Sequence, residues 1–102
     1  MTYDDFWLRY LRAHSSATTR LLHYIGSLLV IVALVLGVHD WRWLIAAPIV
    51  GYAFAWTAHF AIEGNRPETF GHPVWSLISD YRMLLLALSR RLAPHLQRAG
   101  AR

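Results

Sequence analysis

The chain has 102 residues, a formal charge of +4 and no cysteine, and every basic residue is an arginine. Without cysteine there is no disulfide, thiolate nucleophile or zinc ribbon, so any metal site must use His, Asp or Glu. The apolar content is 56%, against about 45–50% in soluble domains, which predicts a small, single-domain membrane protein. Nucleic-acid binding is not expected, because the arginines are scattered between apolar runs and form no basic stripe.

The hydrophobic pattern predicts an all-α membrane bundle of about four helices, the first over residues 3–13. One face of this first helix is apolar and aromatic, which is typical of an amphipathic helix lying at a membrane interface. The residues on that face are Phe6, Trp7, Tyr10 and Leu11. The first acidic residues, before any long apolar run, do not resemble a secretory signal.

The second helix is predicted over residues 18–38, after the candidate N-caps Ser15 and Ser16. His23 is the only side chain between Leu21 and Val38 that can carry a charge near neutral pH. A run of this length, about 20 residues, is what a helix needs to span a bilayer. Gly37 is the expected C-cap signal at the turn after this helix.

The third helix is predicted over residues 43–62 and a fourth, less regular one over 74–92, separated by a loop rich in glycine and proline. Asp80 and Arg82 interrupt the fourth helix. They could stand behind metal ligands or form a helix-packing pair, and we prefer the packing pair. We expect one membrane-embedded domain over residues 1–92. Residues 93–102 form a basic tail that is predicted to be frayed after Pro94.

The arginine distribution predicts the topology. If the second and third helices form a two-span hairpin, Arg42 is the only arginine on the far side, which satisfies the positive-inside tendency. The N-terminus then faces the cytoplasm, and the first and fourth helices lie at or dip into that face. We therefore expect an integral membrane protein.

The hairpin also brings two histidines together. A turn near residue 40 or 41 places residue 58 or 59 opposite His23, so His23 and His59 lie at one depth, about 27 Å from the turn at about 1.5 Å per residue. Glu63 lies one turn beyond His59, and His14 and the loop that carries His72 return to the same end. A single helical histidine is more often structural, but ionisable groups inside membrane segments usually serve a function.

A metal held by these residues would have imidazole and carboxylate ligands and no sulfur. Such ligands suit iron, zinc or manganese, and two or more histidines with one carboxylate are typical of non-haem Fe(II) sites. Zinc-dependent hydrolysis stays open as well. Arg66, just before Pro67, could hold an anionic head group through its guanidinium or simply face lipid phosphate.

Two segments carry a family resemblance. The stretch FWLRYLRAHSSATTRLLHYIG, and later AHFAIEGNRP with WSLISDYRM, are similar to the small membrane family of 2-hydroxy fatty acid dioxygenases and their bacterial relatives. The resemblance covers about residues 3–92. It implies an Fe(II)-dependent enzyme that uses molecular oxygen to remove one carbon from a 2-hydroxy long-chain fatty acid.

The resemblance also implies roles for individual residues. His14, His23 and His59 match the family's histidines, and His72 matches mainly the bacterial form; these four are the expected metal ligands. Glu63 is expected as a ligand or a hydrogen-bond acceptor behind the ligands, and Arg66 as the group that steers the substrate carboxylate. Asn65 belongs to the same matching stretch and is the second expected substrate-binding residue.

The expected partners are membrane lipid and a fatty-acid-like substrate, and oligomer formation stays open. Two other functions fit the sequence. One is a non-catalytic membrane scaffold whose histidines cap helices and bind lipid head groups. The other is a zinc-dependent lipid hydrolase, whose activity would not require oxygen.

Overall fold

The computed structural model describes residues 1–101, which form five α-helices and no strand. The helices are α1 Tyr3–Ala13, α2 Ala17–Leu36, α3 Arg42–Thr57, α4 Pro73–Leu88 and α5 Leu92–Ala99. A π-helical segment, Ala58–Glu63, continues α3 without a break, and a short 3-10 turn, Glu68–Phe70, precedes α4. The all-helical prediction is therefore confirmed, with one helix more than expected.

Helices α2 and α3 form the predicted hairpin, and two glycines set their distance. A Cβ added at Gly26 would lie 2.8 Å from the Cβ of Phe54, and one at Gly51 would lie 2.9 Å from a methyl of Val30. Neither position has room for a side chain, so the two backbones approach closely. The pairing of Val30 with Gly51 confirms a register centred near residue 40 or 41.

Within residues 1–101, two helices are long and apolar enough to cross a bilayer: α2, and α3 together with its π-helical extension to Glu63. Their outer faces carry large apolar side chains that nothing else in the described chain covers, among them Leu28, Val32, Val35, Ile45 and Ile49. Side chains of this kind are stable against lipid but costly against water. The hairpin therefore indicates association with a membrane.

The sequence suggested that the apolar face of α1 would contact lipid at the membrane interface. The structure instead buries this face inside the protein. Phe6, Trp7, Tyr10 and Leu11 are fully buried in a cluster with residues of α4 and α5. An amphipathic helix can place its apolar face against lipid or against the core of a protein. Here α4 and α5 provide the apolar partner, which the sequence alone could not identify. Helix α1 begins with a capping box in which Thr2 and Asp5 exchange hydrogen bonds.

Helix α4 ends at Leu88, earlier than predicted, and the prediction of a frayed tail is wrong. Arg90 has a φ of 60°, a left-handed conformation that ends the helix and redirects the chain. Leu92, Leu96 and Ala99 then occur at helical spacing and are buried against α1. Their burial stabilises α5, although its solvent-facing side is polar and basic; the domain limit at residue 92 stays a prediction.

Candidate metal centre

Three histidines from three different elements meet where α1 joins the base of the hairpin. His14 is the C-cap of α1, His23 lies in α2 and His59 lies in the π-helical segment. All three rings are buried, and one nitrogen from each lies within 4.8 Å of the other two. Among residues 1–101, this is the group of side chains arranged to hold a metal ion.

His59 lies at the start of the π-helical segment, and the segment leads the chain to Asn65, which contacts the His59 ring. A π turn inserts one residue into an α-helix and rotates the residues beyond it, and such turns are frequent at functional sites. Gly64, with a φ of 69°, ends the segment in the left-handed conformation that glycine adopts without strain. The backbone N–H of Asn65 donates to the His59 carbonyl at 2.9 Å, which closes the turn around the histidine.

His14 and His59 each donate a hydrogen bond from Nδ1 to a neighbouring oxygen. His14 Nδ1 donates to the carbonyl of Tyr10 at 2.6 Å, and His59 Nδ1 donates to Oδ1 of Asn65 at 2.7 Å. Asn65 is itself held by the hydrogen bond that its Nδ2 donates to the carbonyl of Ala13 at 3.0 Å. A proton on Nδ1 leaves Nε2 of a neutral imidazole as the free lone pair.

The third ring has a carboxylate behind it. His23 Nδ1 lies 3.4 Å from Oδ1 of Asp80, and the Tyr10 hydroxyl donates to that same carboxylate oxygen. Partners of this kind behind a ligating histidine fix its tautomer and raise its basicity. Each of the three rings is thus oriented from behind, by a carbonyl, an amide or a carboxylate.

The Nε2 atoms of two of the rings point toward each other. Nε2 of His14 and Nε2 of His23 lie 3.1 Å apart, and with Nδ1 protonated on both rings the two atoms are both acceptors. Two lone pairs at this distance repel unless a shared proton or a metal ion lies between them. The donor set therefore fits a metal that takes imidazole nitrogens, such as iron or zinc.

Burial keeps the first of these ligands neutral. Desolvation, reinforced by the neighbouring rings of His23 and His59, holds the pKa of His14 well below its usual value. Burial and the adjacent Asp80 raise the pKa of Tyr10 well above its usual value. Tyr10 therefore remains a protonated donor to Asp80, and His14 remains an unprotonated ligand.

Three other residues predicted for the site are Glu63, Asn65 and Arg66, and none of them offers an atom to the group of three histidines. Glu63 accepts a hydrogen bond at 2.6 Å from the backbone N–H of Ser16, the N-cap of α2. Asn65 holds His59 in place, as described above. The guanidinium of Arg66 is exposed and lies 5.0 Å from the ring centroid of Phe70. The predicted roles of Glu63, Asn65 and Arg66 in catalysis or substrate binding stay predictions.

His72 is not brought to the three histidines. It precedes α4, where its ring stacks on Trp75 at 5.2 Å and meets the edge of Phe6 at 5.3 Å. Its predicted role as a ligand is therefore without support from this arrangement. His39 lies exposed at the far turn, and His95 accepts a hydrogen bond from Trp7.

Sequence reasoning missed Tyr10, and it gave the place of Asp80 behind a histidine only as the less preferred alternative. The interpretation of Asp80 and Arg82 as a packing pair is wrong, since Asp80 turns to His23 while the guanidinium of Arg82 lies 4.3 Å from the ring of Trp7. A carboxylate in an otherwise apolar stretch was the available signal, because such a group needs a partner when it is buried. The signal for Tyr10 was weaker, namely its position one helical turn before His14.

An open groove of about 740 Å³ begins at this centre and runs between α2, α3 and α4. Its polar end contains His23, His59 and Asp80, with the hydroxyls of Thr69 and Ser76 beside them. The rest of the lining is mainly apolar. Its volume is within the range of ligand sites, about 300–1,000 Å³.

Comparison with known proteins places the chain in a family. A family model described as "2-hydroxy-palmitic acid dioxygenase Mpo1-like" matches residues 1–92, which is most of the chain. No curated protein and no solved structure matches the chain significantly.

Proposed function

The chain belongs to the Mpo1-like family, and on that premise we propose that it is an Fe(II)-dependent dioxygenase that shortens 2-hydroxy long-chain fatty acids by one carbon. The observation that carries the proposal is the convergence of three buried imidazoles, each oriented from behind through Nδ1. The description of the family names a dioxygenase of 2-hydroxy-palmitic acid. The metal, the substrate and the activity are part of the proposal.

The reaction balances with molecular oxygen as the only co-substrate. The bond between the carboxyl carbon and the hydroxyl-bearing carbon breaks, and the carboxyl carbon leaves as CO2. The hydroxyl-bearing carbon becomes the new carboxyl group and one water forms. The electrons lost by these two carbons reduce O2.

His14, His23 and His59 would hold the metal through Nε2. Fe(II) bound there would supply the redox chemistry that couples the substrate to O2. The protein's own contribution is to orient the three rings and to receive the substrate head. The Thr69 and Ser76 hydroxyls, 3.5 Å apart at the polar end of the groove, can donate to its carboxylate and hydroxyl oxygens.

Two further residues would act indirectly. Glu63 holds the N-terminus of α2 at Ser16 and so fixes the distance between His14 and His23. Arg66 directly precedes Pro67, which lines the groove, and its exposed cation would attract an anionic substrate to the rim. The location proposed for this chemistry is the cytoplasmic face of a bacterial inner membrane, with the N-terminus on the same side.

A metal and oxygen measurement tests this function. The protein is purified anaerobically, analysed for transition metals, and assayed for oxygen uptake with a 2-hydroxy long-chain fatty acid. We expect one iron per chain and uptake matched by CO2 release. A preparation that is folded yet binds no stoichiometric transition metal would overturn the proposal.

A pair of histidine substitutions, one inside the metal centre and one far from it, tests the proposed ligands. His59→Ala removes one of three ligands and should abolish metal binding and oxygen uptake in a protein that still inserts and retains its helicity. His39→Ala, at the exposed far turn, should change neither. A scaffold without metal would instead show a folding defect or no effect in the first variant.

The ligand set itself favours one second candidate, a zinc-dependent lipid hydrolase. All three converging groups are imidazoles, and no carboxylate of the described residues is among the close-lying ligand atoms. Three histidines with an open fourth position are a known catalytic zinc arrangement. This candidate predicts bound zinc and lipid cleavage under strictly anaerobic conditions, where the dioxygenase is inactive.

A further inference from the structure

The groove that leaves the histidine centre is polar at one end and apolar along the rest of its length. From α2 it takes Ser27, Ile31 and Leu34, which lie beyond His23 along one face. From α3 it takes Ala47, Gly51 and Ala55, spaced by four residues and leading to His59 in the same spacing. Both helix faces therefore start at the metal centre and continue toward the opposite end of the hairpin.

The groove exists because the residues of α3 that line it are small. Gly51 lies against Val30 and keeps the two helices close, while the absence of bulk at Ala47 and Ala55 opens a channel beside that contact. The lining that α4 contributes is confined to its first half, residues 76–81. Ile31 and Leu34 line the groove and remain 42% and 48% exposed, so the groove is open sideways, where lipid surrounds the hairpin.

The length of the groove can be read from the helix. Residues 23 and 34 are about 16 Å apart along α2 at about 1.5 Å per residue. An extended alkyl chain advances about 1.3 Å per methylene, given a C–C bond of about 1.5 Å, so about a dozen methylenes fit between the histidines and Leu34. By the hairpin register, Ala47 lies opposite Leu34 and marks the same depth.

We propose that this groove binds the alkyl chain of a single-chain amphiphile whose polar head lies at the three histidines, and that Leu34, Leu44 and Ala47 limit the enclosed chain length. The chemical identity of the head, a 2-hydroxy acid, rests on the proposed function. The occupant is inferred from the groove itself, which has one polar end, one apolar channel and a lateral opening to lipid. A substrate could thus enter from the membrane without crossing water.

The selectivity of such a groove comes from shape. The bilayer interior is as apolar as the groove, so moving a chain from lipid into it gains little hydrophobic free energy. Chain length is then sensed by how well the terminal carbons pack at the far end. A bulky residue inside the groove should therefore displace long chains without affecting the head site.

A photoreactive fatty acid tests the location. A long-chain 2-hydroxy acid with a diazirine at its terminal carbon is incorporated with the whole protein into nanodiscs, irradiated without oxygen, and the labelled residues are identified by fragment mass spectrometry. We expect labelling to concentrate on Leu34, Leu44, Ala47 and Pro48, and to fall several-fold when unlabelled 2-hydroxy acid is added. Labelling spread over the outward-facing Leu28, Val35, Ile45 and Ile49, insensitive to competitor, would overturn the proposal and indicate ordinary annular lipid.

A pair of neighbouring substitutions provides the control. Ile31→Trp places a ring in the groove, whereas Val32→Trp places the same ring on the adjacent outer face, where Val32 is 51% exposed and does not line the groove. The first should reduce labelling at the far end several-fold and the second should leave it unchanged. Equal effects of the two variants, or none from either, would contradict the proposal.

The two proposals can fail separately. Competed labelling of the far end in a protein that binds no metal and consumes no oxygen would keep the groove and overturn the dioxygenase. Iron binding and oxygen uptake with labelling confined to the outer faces would keep the enzyme and overturn the groove.

Discussion

Tyr10 contacts the histidine centre in three ways. Its carbonyl accepts from His14 Nδ1, its ring stacks on that of His14 with centroids 4.0 Å apart, and its hydroxyl donates to Asp80, which faces His23. One buried residue therefore positions two of the three ligands, through its backbone carbonyl as well as its side chain. Its role is to orient them, since it does not itself offer a ligand atom to the centre.

Tyr10→Phe separates these contributions. The substitution keeps the carbonyl and the stacked ring but removes the donor to Asp80, leaving the carboxylate free to move from His23. We expect metal affinity to fall about 10-fold or more, as for other groups behind metal ligands, with the helices intact. A competition titration against a chelator measures this, with the exposed Tyr52→Phe as control; equal affinities in the two variants would contradict the role.

The distance between α2 and α3 determines how close His23 lies to His59. At Gly26 the nearest atom of the opposite helix, Phe54 Cβ, leaves no room for a methyl group. A helix pair with such a contact cannot absorb added volume without moving one backbone. The position of the contact, one turn from His23, links the packing of the hairpin to the metal centre.

Gly26→Ala should therefore push the helices apart. We expect a loss of about 1–3 kcal/mol in the free energy of unfolding, the usual effect of overpacking, together with weaker metal binding. Gly71→Ala is the matched control, since a Cβ there meets nothing within 4 Å and the backbone is not left-handed. Denaturant unfolding and metal titration of both variants check this, and a Gly26 variant as stable as the control would refute it.

Helix α5 is attached through a contact that depends on pH. Trp7 Nε1 donates to Nδ1 of His95 at 3.1 Å, which requires that nitrogen to be unprotonated. Desolvation, with Arg82 of α4 and Arg98 of α5 nearby, lowers the pKa of His95 below its usual value. The unfolded chain then binds a proton more readily than the folded one, so stability falls as pH decreases below about 6.5.

We therefore expect α5 to open more often at pH 5 than at pH 7. Hydrogen exchange of the α5 amides measures this opening, with the amides of α2 as internal reference. His95→Phe keeps an aromatic partner for Trp7 but cannot titrate, so its α5 exchange should lose that extra pH dependence. An identical pH response in both proteins would show that another group is responsible.

How much the sequence predicts depends on the separation of the contacts. His23 and His59 are paired by counting residues from the turn, because a hairpin of straight helices fixes its own register. Asp80 and Tyr10 could not be placed in this way, since the approach of α4 to α2 depends on side-chain packing between elements joined by long connections. The π-helical end of α3 and the docking of α5 could not be predicted for the same reason, because each depends on tertiary contacts.

Over the whole molecule, charge is divided between two ends. Arg42 is the only arginine among the described residues at the turn between α2 and α3. The others lie with the three histidines, in α4 and α5, or in the connection between α4 and α5. This division is what the positive-inside tendency requires of a protein with its histidine end in the cytoplasm. The dimensions, 43 × 27 × 26 Å, allow a hairpin that spans the bilayer with a wider base at one face.

The absence of native cysteine makes this orientation easy to measure. Single cysteines are introduced as Val38→Cys at the far turn and Gly71→Cys at the base, both at exposed positions. In intact cells an impermeant thiol reagent should label the first, and should label the second only after permeabilisation. The opposite pattern would reverse the proposed topology.

The origin of the three histidines in three elements also ties metal supply to the persistence of the fold. An ion bound by His14, His23 and His59 would act as a cross-link between the end of α1, the middle of α2 and the end of the hairpin. Such a ligand stabilises the folded chain by an amount that grows with its concentration relative to its dissociation constant. A cell that runs short of the ion would then lose the protein itself to proteolysis along with its activity, so that abundance becomes a gauge of metal availability.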